Sequence, residues 1–157
     1  MLREAIAARS RLPAEARRRV HLATLPMDDL EENAVIVNAL QRHAFVGVQK
    51  SLAEGFGLTV AEAMRKGRPV VASKVGGIRD QIAHGESGIL LDDPHDLQAF
   101  GAAITDLLAD PRQAERIGRA ARERVRDRFL SVRSLVDYAA LVRAVAADVP
   151  SPRVVAR

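Results

Sequence analysis

Residues 48–64 read VQKSLAEGFGLTVAEAM, and the predicted elements of this chain are organised around this segment. An apolar strand candidate, Ala44 to Val48, passes through a polar turn and two glycines into a helix candidate. Gly55 and Gly57 allow backbone conformations that other residues avoid. Because the first N–H groups of a helix are unpaired and lie at the positive end of its dipole, this turn predicts a cradle for phosphate.

Two glutamates flank the turn and suit a ligand rich in hydroxyl groups. Glu54 precedes the predicted helix and Glu62 lies about one turn inside it, so the pair can address different parts of one extended ligand. Ionised carboxylates accept hydrogen bonds from sugar or ribose hydroxyls. A structural interpretation is equally open, because Thr59 and Glu62 fit the S/T-x-x-E capping box and Glu54 fits an ordinary loop acid.

The run from Glu54 to Met64 resembles the E-x7-E signature of retaining, nucleotide-sugar-dependent glycosyltransferases of the GT-B fold, the large family 4 group. Further segments follow in the order and approximate spacing of that family: GRPVVAS at 67–73, VGGI at 75–78, GESGILL at 85–91 and Asp93-Pro94. Several segments in register are far more specific than a single glycine motif. The resemblance covers roughly residues 20 to 130.

Within that family, three segments look most like trehalose synthases of the glycosyl-transferring type and the related trehalose phosphorylases. These segments are LPM at 25–27, NALQR at 38–42 and VQKS at 48–51. Arg65 departs from this pattern, since close relatives of that type are expected to carry an aromatic residue there. The change is either a harmless surface substitution or the loss of an interdomain contact.

The resemblance implies sugar transfer from a nucleotide donor to an acceptor hydroxyl, with retention at the anomeric carbon and without a divalent metal or other cofactor. Carried onto this chain, Glu54 would contact hydroxyls of the donor sugar as the catalytic residue, and Glu62 would bind the ribose hydroxyls. Lys50 is a candidate cation for the leaving diphosphate, or else a solvated loop lysine. The amides facing the sugar and diphosphate would be those of Gly55, Phe56, Gly57, Leu58 and Thr59.

The order of elements predicts the α/β class, as a partial Rossmann-like parallel sheet with helices on both faces. The predicted strands are Val20 to Leu25, Ala44 to Val48, Pro69 to Ser73 and Gly88 to Leu91. Ligands of such sheets bind beyond the carboxyl ends of the strands. Residues 50–57 and 73–77 both fall there, so the two glycine loops are expected to converge.

The predicted helices lie between and after these strands. They cover part of residues 1–19, about 29–42, Leu58 to Lys66, Ile78 to Ala83, a segment opened by Asp93-Pro94, another restarted at Asp110-Pro111, and Val132 to Ala146. Apolar residues at helical spacing predict their buried faces: Leu30, Ala34, Val37 and Leu40; Leu97, Phe100, Ile104 and Leu108; Ala114, Ile117, Ala121, Val125 and Phe129. The arginines from 112 to 133 then form a solvated face.

These elements suggest three parts. Residues 1–19 are an N-terminal helical lead-in, 20–130 a partial C-terminal nucleotide-sugar-binding domain of GT-B type, and 131–157 a C-terminal helix with a tail that frays beyond Pro150. A complete GT-B enzyme has two Rossmann-like domains, with the acceptor mostly on the first. The resemblance therefore leads us to expect that these residues include none of the first domain and lack the opening strands of the second, including an arginine and a lysine that family members use on the donor phosphates.

Composition narrows the function classes. The 157 residues carry a net charge of +4, but aromatic residues make up only 3%, which leaves almost no stacking platform for nucleic acid. No apolar run is long enough to span a bilayer, residues 1–6 lack the apolar core of a signal peptide, and there is no cysteine. We therefore expect a cytoplasmic protein that binds neither nucleic acid nor membrane.

Metal binding is not expected. His21, His43, His84 and His95 show no metal-ligand spacing. The acidic pairs Asp28-Asp29 and Asp92-Asp93 are interpreted as helix caps.

Two functions from different classes follow. The first is the donor-binding part of a retaining hexosyltransferase, which forms trehalose from a nucleoside diphosphate glucose and a glucose acceptor and is inactive without the missing N-terminal half. A fragment of another family 4 hexosyltransferase or of a trehalose phosphorylase is a variant of it. The second is a non-catalytic remnant that serves as an interaction or oligomerisation module, such as a homodimer, through its exposed sheet edge.

Overall fold

Three short parallel strands form the sheet, in the order β1 (Gly47–Gln49), β2 (Val70–Ser73) and β3 (Ile89–Leu91). The computed structural model describes residues 2–129 and 131–148. Within them lie eight helices: α1 (Leu2–Ser10), α2 (Ala14–Arg19), α3 (Leu30–His43), α4 (Leu58–Arg65), α5 (Ile78–Gln81), α6 (Leu97–Ala109), α7 (Pro111–Arg128) and α8 (Ser131–Asp148). The chain divides into two units, Met1–Ala39 and Leu40–Arg157.

The sheet is covered on both faces, which confirms the predicted fold class. All four residues of β2 are buried, as expected for a central parallel strand. Val70 and Ala72 belong to one apolar cluster, with residues of α4, α5 and the second half of α7. Val71 belongs to a second cluster, with residues of α6 and the first half of α7.

Three of the four predicted strands are confirmed, each shorter than the apolar run that predicted it. The strand predicted over residues 20–25 is wrong, since these residues belong to no described sheet. A strand needs a neighbour for its backbone hydrogen bonds. In the first unit the carbonyl of Val20 instead accepts a 2.6 Å hydrogen bond from Nε of Arg9.

The helix predictions differ mainly in which faces are buried. α7 buries Ala114, Ile117, Ala121 and Val125 as predicted, with Phe129 half-buried beyond its end. In α6 the buried residues are Phe100 and Leu107, whereas Leu108 is 56% exposed. Residues advance by about 100° around a helix, so Leu107 lies about 20° from Phe100 and Leu108 about 80° away.

The apolar face predicted for α3 is wrong, because this helix has no buried residue. An apolar stripe is buried only where another element covers it. The Asp29 carboxylate does cap the start of α3, accepting from the N–H groups of Glu31 and Glu32 at 3.0 and 2.9 Å. The predicted C-terminal helix is confirmed as α8, with Leu135 and Val145 exposed, and the predicted tail beyond Pro150 lies outside the described residues. The three-part division at residues 19 and 130 stays a prediction.

α4 and α7 make a close backbone contact. A Cβ atom added to Gly118 of α7 would lie 2.1 Å from the carbonyl oxygen of Gly67, directly after α4, and 3.4 Å from Cδ of Pro69. Only glycine permits this approach. The contact fixes α7 against the turn between α4 and β2.

Candidate functional site

The turn into α4 leaves backbone donors exposed. Gly57 is the N-cap residue, with φ of +88°, and no side chain caps the helix. The N–H of Val60 bonds to the carbonyl of Gly57 at 3.1 Å. The N–H groups of Leu58 and Thr59, the first two of the helix, have no intrahelical acceptor and suit an anion.

The two glycine loops meet at the carboxyl edge of the sheet, as predicted. The N–H of Gly77 donates to the carbonyl oxygen of Gly55 at 2.8 Å. A Cβ atom on Gly76 would lie 1.6 Å from the carbonyl oxygen of Glu54, and one on Gly77 would lie 2.7 Å from that of Gly55. The backbones therefore touch, and glycine is needed where they do.

Gln81 supports the glycine loop that contains Phe56. Its side chain is fully buried and its Nε2 donates to the carbonyl oxygen of Phe56 at 2.5 Å. The backbone carbonyl oxygen of Gln81 accepts a hydrogen bond from Nε of Arg124 at 2.6 Å. Gln81 was not predicted from the sequence, although its position three residues after Ile78, on the buried stripe of α5, was a usable signal.

The predicted site residues take different positions around this turn. Glu54 is half-buried, and its Oε1 accepts from the N–H of Gly55 at 3.1 Å. Phe56 is exposed on one side and makes an edge contact with Phe129, with ring centroids 6.3 Å apart. Glu62 lies further along α4 and is exposed; its Oε2 accepts from Nε2 of Gln41 at 3.3 Å.

The capping box that was an alternative for Glu62 does not form. Thr59 lies inside α4 instead of at its N-cap, and its hydroxyl donates to Oε1 of Gln49 at 3.1 Å. Glu62 is bonded to a side chain of α3 rather than to an N-terminal N–H of α4. A ligand role for Glu62 stays a prediction.

Two lysines follow strands at this edge. Lys50, after β1, is exposed and its ammonium has no acceptor within the described part of the chain. Lys74, after β2, is a second cation that our sequence analysis missed, and its Nζ bonds to Oδ1 of Asp92, after β3, at 2.8 Å. The hydrogen bond from Lys74, assisted by its charge, lowers the pKa of Asp92 from the ordinary value of 3.8.

The helix-cap interpretation of Asp92 and Asp93 is wrong. Asp92 pairs with Lys74, while the carboxylate of Asp93 accepts from the N–H of His95 at 2.8 Å within the preceding turn. The cap of α6 is Asp96, which accepts from the N–H of Ala99 at 2.9 Å. The acidic residue nearest the helix start therefore caps it.

We expect Lys74→Met to raise the measured pKa of Asp92 toward 3.8. Because the pKa is lowered in the folded state, the ion pair stabilises the fold above the ordinary pKa and loses this effect as pH falls through the folded pKa. The pKa is measured by NMR titration of the side-chain carboxyl carbon. Lys50→Met is the control, since Lys50 lies two strand spacings away, about 10 Å, and should leave the value unchanged. An unaltered pKa in Lys74→Met would contradict the pairing.

Two buried polar atoms near this edge are unsatisfied. Oγ of Ser73, the last residue of β2, and Oε1 of Gln81 have no hydrogen-bond partner among the described residues. Buried polar atoms are ordinarily paired. A bound water or a ligand would have to supply the missing partners.

Across residues 2–129 and 131–148, no three His, Cys, Asp or Glu side chains are grouped so that they could hold a metal ion. Within the same ranges, no helix combines the length and apolar character that crossing a membrane requires. Nδ1 of His84 accepts from the N–H of Leu90 at 3.0 Å, which gives that histidine a structural role.

A parallel sheet with two glycine loops at its carboxyl edge, one opening into a helix, defines the doubly wound α/β class. Residues 31–124 match the family described as Glycosyl transferases group 1, and the chain belongs to that family. Its solved structural neighbours are GT-B glycosyltransferases.

Two relatives are trehalose synthases. The protein from Rubrobacter xylanophilus is 51% identical over 104 residues, which cover 66% of this chain and 24% of the relative. The protein from Pyrococcus horikoshii is 43% identical over 102 residues, which cover 65% of this chain and 24% of the relative. The chain thus spans about a quarter of the length of the curated relatives it matches.

Solved structures give the same fold. Sucrose-phosphate synthase from Thermosynechococcus elongatus superposes with a TM-score of 0.60 at 39% identity, covering 68% of this chain and 26% of that one. Anabaena HepE in complex with UDP-glucose superposes with a TM-score of 0.62 at 28% identity. The superposition covers 69% of this chain and 30% of the HepE chain.

Proposed function

We propose that this chain is the donor-binding part of a retaining glycosyltransferase that transfers glucose from a nucleoside diphosphate glucose to a glucose acceptor, forming trehalose. The relative at 51% identity is a trehalose synthase, which supports trehalose as the product. The complex of HepE with UDP-glucose supports the donor class. Because the chain spans about a quarter of its relatives' length, catalysis is proposed to need the remainder of a GT-B enzyme. The proposed location is the reducing cytoplasm, which a chain without cysteine suits.

One observation carries the donor-binding proposal: the 2.8 Å hydrogen bond from Gly77 to Gly55 joins the two glycine loops beside the uncapped start of α4. The joined loops offer backbone N–H groups that need no rearrangement when an anion arrives. Preorganised donors of this kind stabilise charge that develops on a leaving group. In sugar transfer from a nucleoside diphosphate, negative charge of this kind develops on the leaving diphosphate.

In this proposal the N–H groups of Leu58 and Thr59 bind the diphosphate. Glu54 contacts hydroxyls of the donor sugar, and Glu62 binds the ribose hydroxyls as a hydrogen-bond acceptor. Lys74 adds positive charge at the same edge, although Asp92 partly neutralises it. No carboxylate is proposed as a nucleophile and no metal is proposed to take part.

We expect calorimetric titration with UDP-glucose or ADP-glucose to show saturable binding that Glu62→Gln weakens about tenfold, since a hydrogen bond to a charged acceptor contributes about 1.5 kcal/mol. The amide keeps an acceptor for Gln41, so the fold should be unaffected. Glu86→Gln is the matched control, because Glu86 is exposed and precedes β3, at the opposite edge of the sheet.

Equal affinity in wild type and Glu62→Gln would show that Glu62 is not part of the donor site. No heat from a chain that is folded by circular dichroism would contradict donor binding by this chain. That result would favour the second function, an interaction module. Comparing the affinities for UDP-glucose and ADP-glucose would identify the preferred base. Comparing each nucleotide sugar with free UDP or ADP would show whether the sugar contributes to binding.

A further inference from the structure

An arginine-lined cleft lies between α4 and α7, apart from the site described above. Its volume is about 420 Å³, and its lining consists of Arg65, Arg119, Arg122, Glu123 and Arg126. We call it the arginine cleft. Arg65 ends α4, and α4 is about 10 Å long at 1.5 Å per residue, so this part of the cleft is well separated from the uncapped helix start.

The cleft has a rigid frame. Its α7 residues recur at three- and four-residue spacing and so share one helix face. The close contact between Gly118 and Gly67 holds α7 against the end of α4. Buried Met64 of α4 and Ala121 of α7 anchor the two walls in the core.

The charges in the cleft are poorly compensated. Four guanidinium groups face one lining carboxylate, that of Glu123. The side chains of Arg65 and Arg122 make no hydrogen bond or ion pair with another described residue. Arg119 reaches Glu115 only at 3.4 Å, between two largely exposed side chains, and Arg126 pairs with its sequence neighbour Asp127 at 2.8 Å. Exposed pairs of this kind contribute little and exchange readily.

We propose that the arginine cleft binds a small anion that carries phosphate groups. Guanidinium groups match phosphate oxygens in two-point hydrogen bonds, and gathering like charges in one cleft is unfavourable unless an anion neutralises them. The volume is that of a small-molecule site. None of the described residues that line the cleft is aromatic, so they offer no stacking surface of the kind that a nucleic-acid strand would use.

The test is calorimetric titration of the intact chain with inorganic pyrophosphate at fixed ionic strength. The double variant Arg65→Gln with Arg122→Gln should bind at least tenfold more weakly than wild type. The matched control is Arg112→Gln with Arg116→Gln, which removes the same charge from exposed positions of α7 outside the cleft and should change the affinity less than twofold. Thermal unfolding of each variant checks that the fold is kept.

Equal weakening in the two double variants would mean that pyrophosphate responds only to net charge, and would overturn the proposal. Unchanged affinity in both, or no binding by wild type, would overturn it as well. Repeating the titration with UDP-glucose at saturation separates the cleft from the start of α4. Pyrophosphate that no longer binds under that condition would be competing for the nucleotide site, which also overturns the proposal.

Discussion

Gly76→Ala is expected to destabilise the fold by about 2–5 kcal/mol and to abolish UDP-glucose binding. The added Cβ would lie 1.6 Å from the carbonyl oxygen of Glu54 and 2.7 Å from its carbonyl carbon, at a residue whose φ is +49°. Both neighbours are backbone atoms, so no side-chain rotation relieves the clash. The two glycine loops must separate, and the hydrogen bond from Gly77 to Gly55 is lost with them. Urea unfolding measures the first effect and calorimetry the second.

Gly85→Ala is the control that isolates the backbone contribution. Gly85 also has a positive φ, of +77°, but a Cβ there meets nothing within 4 Å. Gly85→Ala should lower the free energy of unfolding only by the strain of an alanine in the left-handed conformation, about 1–2 kcal/mol. It should leave UDP-glucose binding intact. If Gly76→Ala proved no worse than Gly85→Ala in either measurement, the contact between the loops would not exist as described.

Gly118→Ala is expected to destabilise the chain by about 3 kcal/mol, although alanine is the better helix former. The new Cβ would lie 2.1 Å from the carbonyl oxygen of Gly67 and 3.0 Å from its carbonyl carbon. α7 would have to move away from the end of α4, which disturbs the buried stripe that continues through Ala121 and Val125. The free energy of unfolding in urea gives the value.

Gly101→Ala is the matched control: it makes the same substitution inside a helix but is expected to stabilise the chain. Gly101 lies inside α6, where an added Cβ meets nothing within 4 Å. Removing the flexibility of glycine from a helix interior should stabilise the chain by about 0.5–1 kcal/mol. Stabilisation by both substitutions would show that α7 can shift away from Gly67 at no cost.

Local patterns predicted the central sheet and α7 correctly, because the described chain supplies the packing that these elements require. The alternation of apolar strands and helices predicted a parallel sheet, and β2 is buried on both faces. The stripe on α7 was predicted residue by residue, because other elements cover the face that its periodicity identifies. The strand predicted over residues 20–25 failed because the chain there has strand composition but no neighbouring strand.

The site was predicted in outline and completed by contacts between distant residues. The glycine spacing around Gly55 and Gly76 and the rule for carboxyl ends of strands located both loops. Nothing in the local pattern pointed to the pairing of Lys74 with Asp92, which joins the ends of two different strands. The support that Gln81 gives to Phe56 joins residues 25 positions apart.

Composition, periodicity and glycine content act within a few residues, so they were enough to predict the alternation of strands and helices from β1 onward, the buried central strand and the glycine turn at the start of α4. The tertiary structure alone decided three further points. It decided that the two glycine loops touch through their backbones, that Thr59 does not cap α4, and that the arginines of α4 and α7 share one cleft. These depend on which residues the packing brings together, and that is set by the contacts of the whole core.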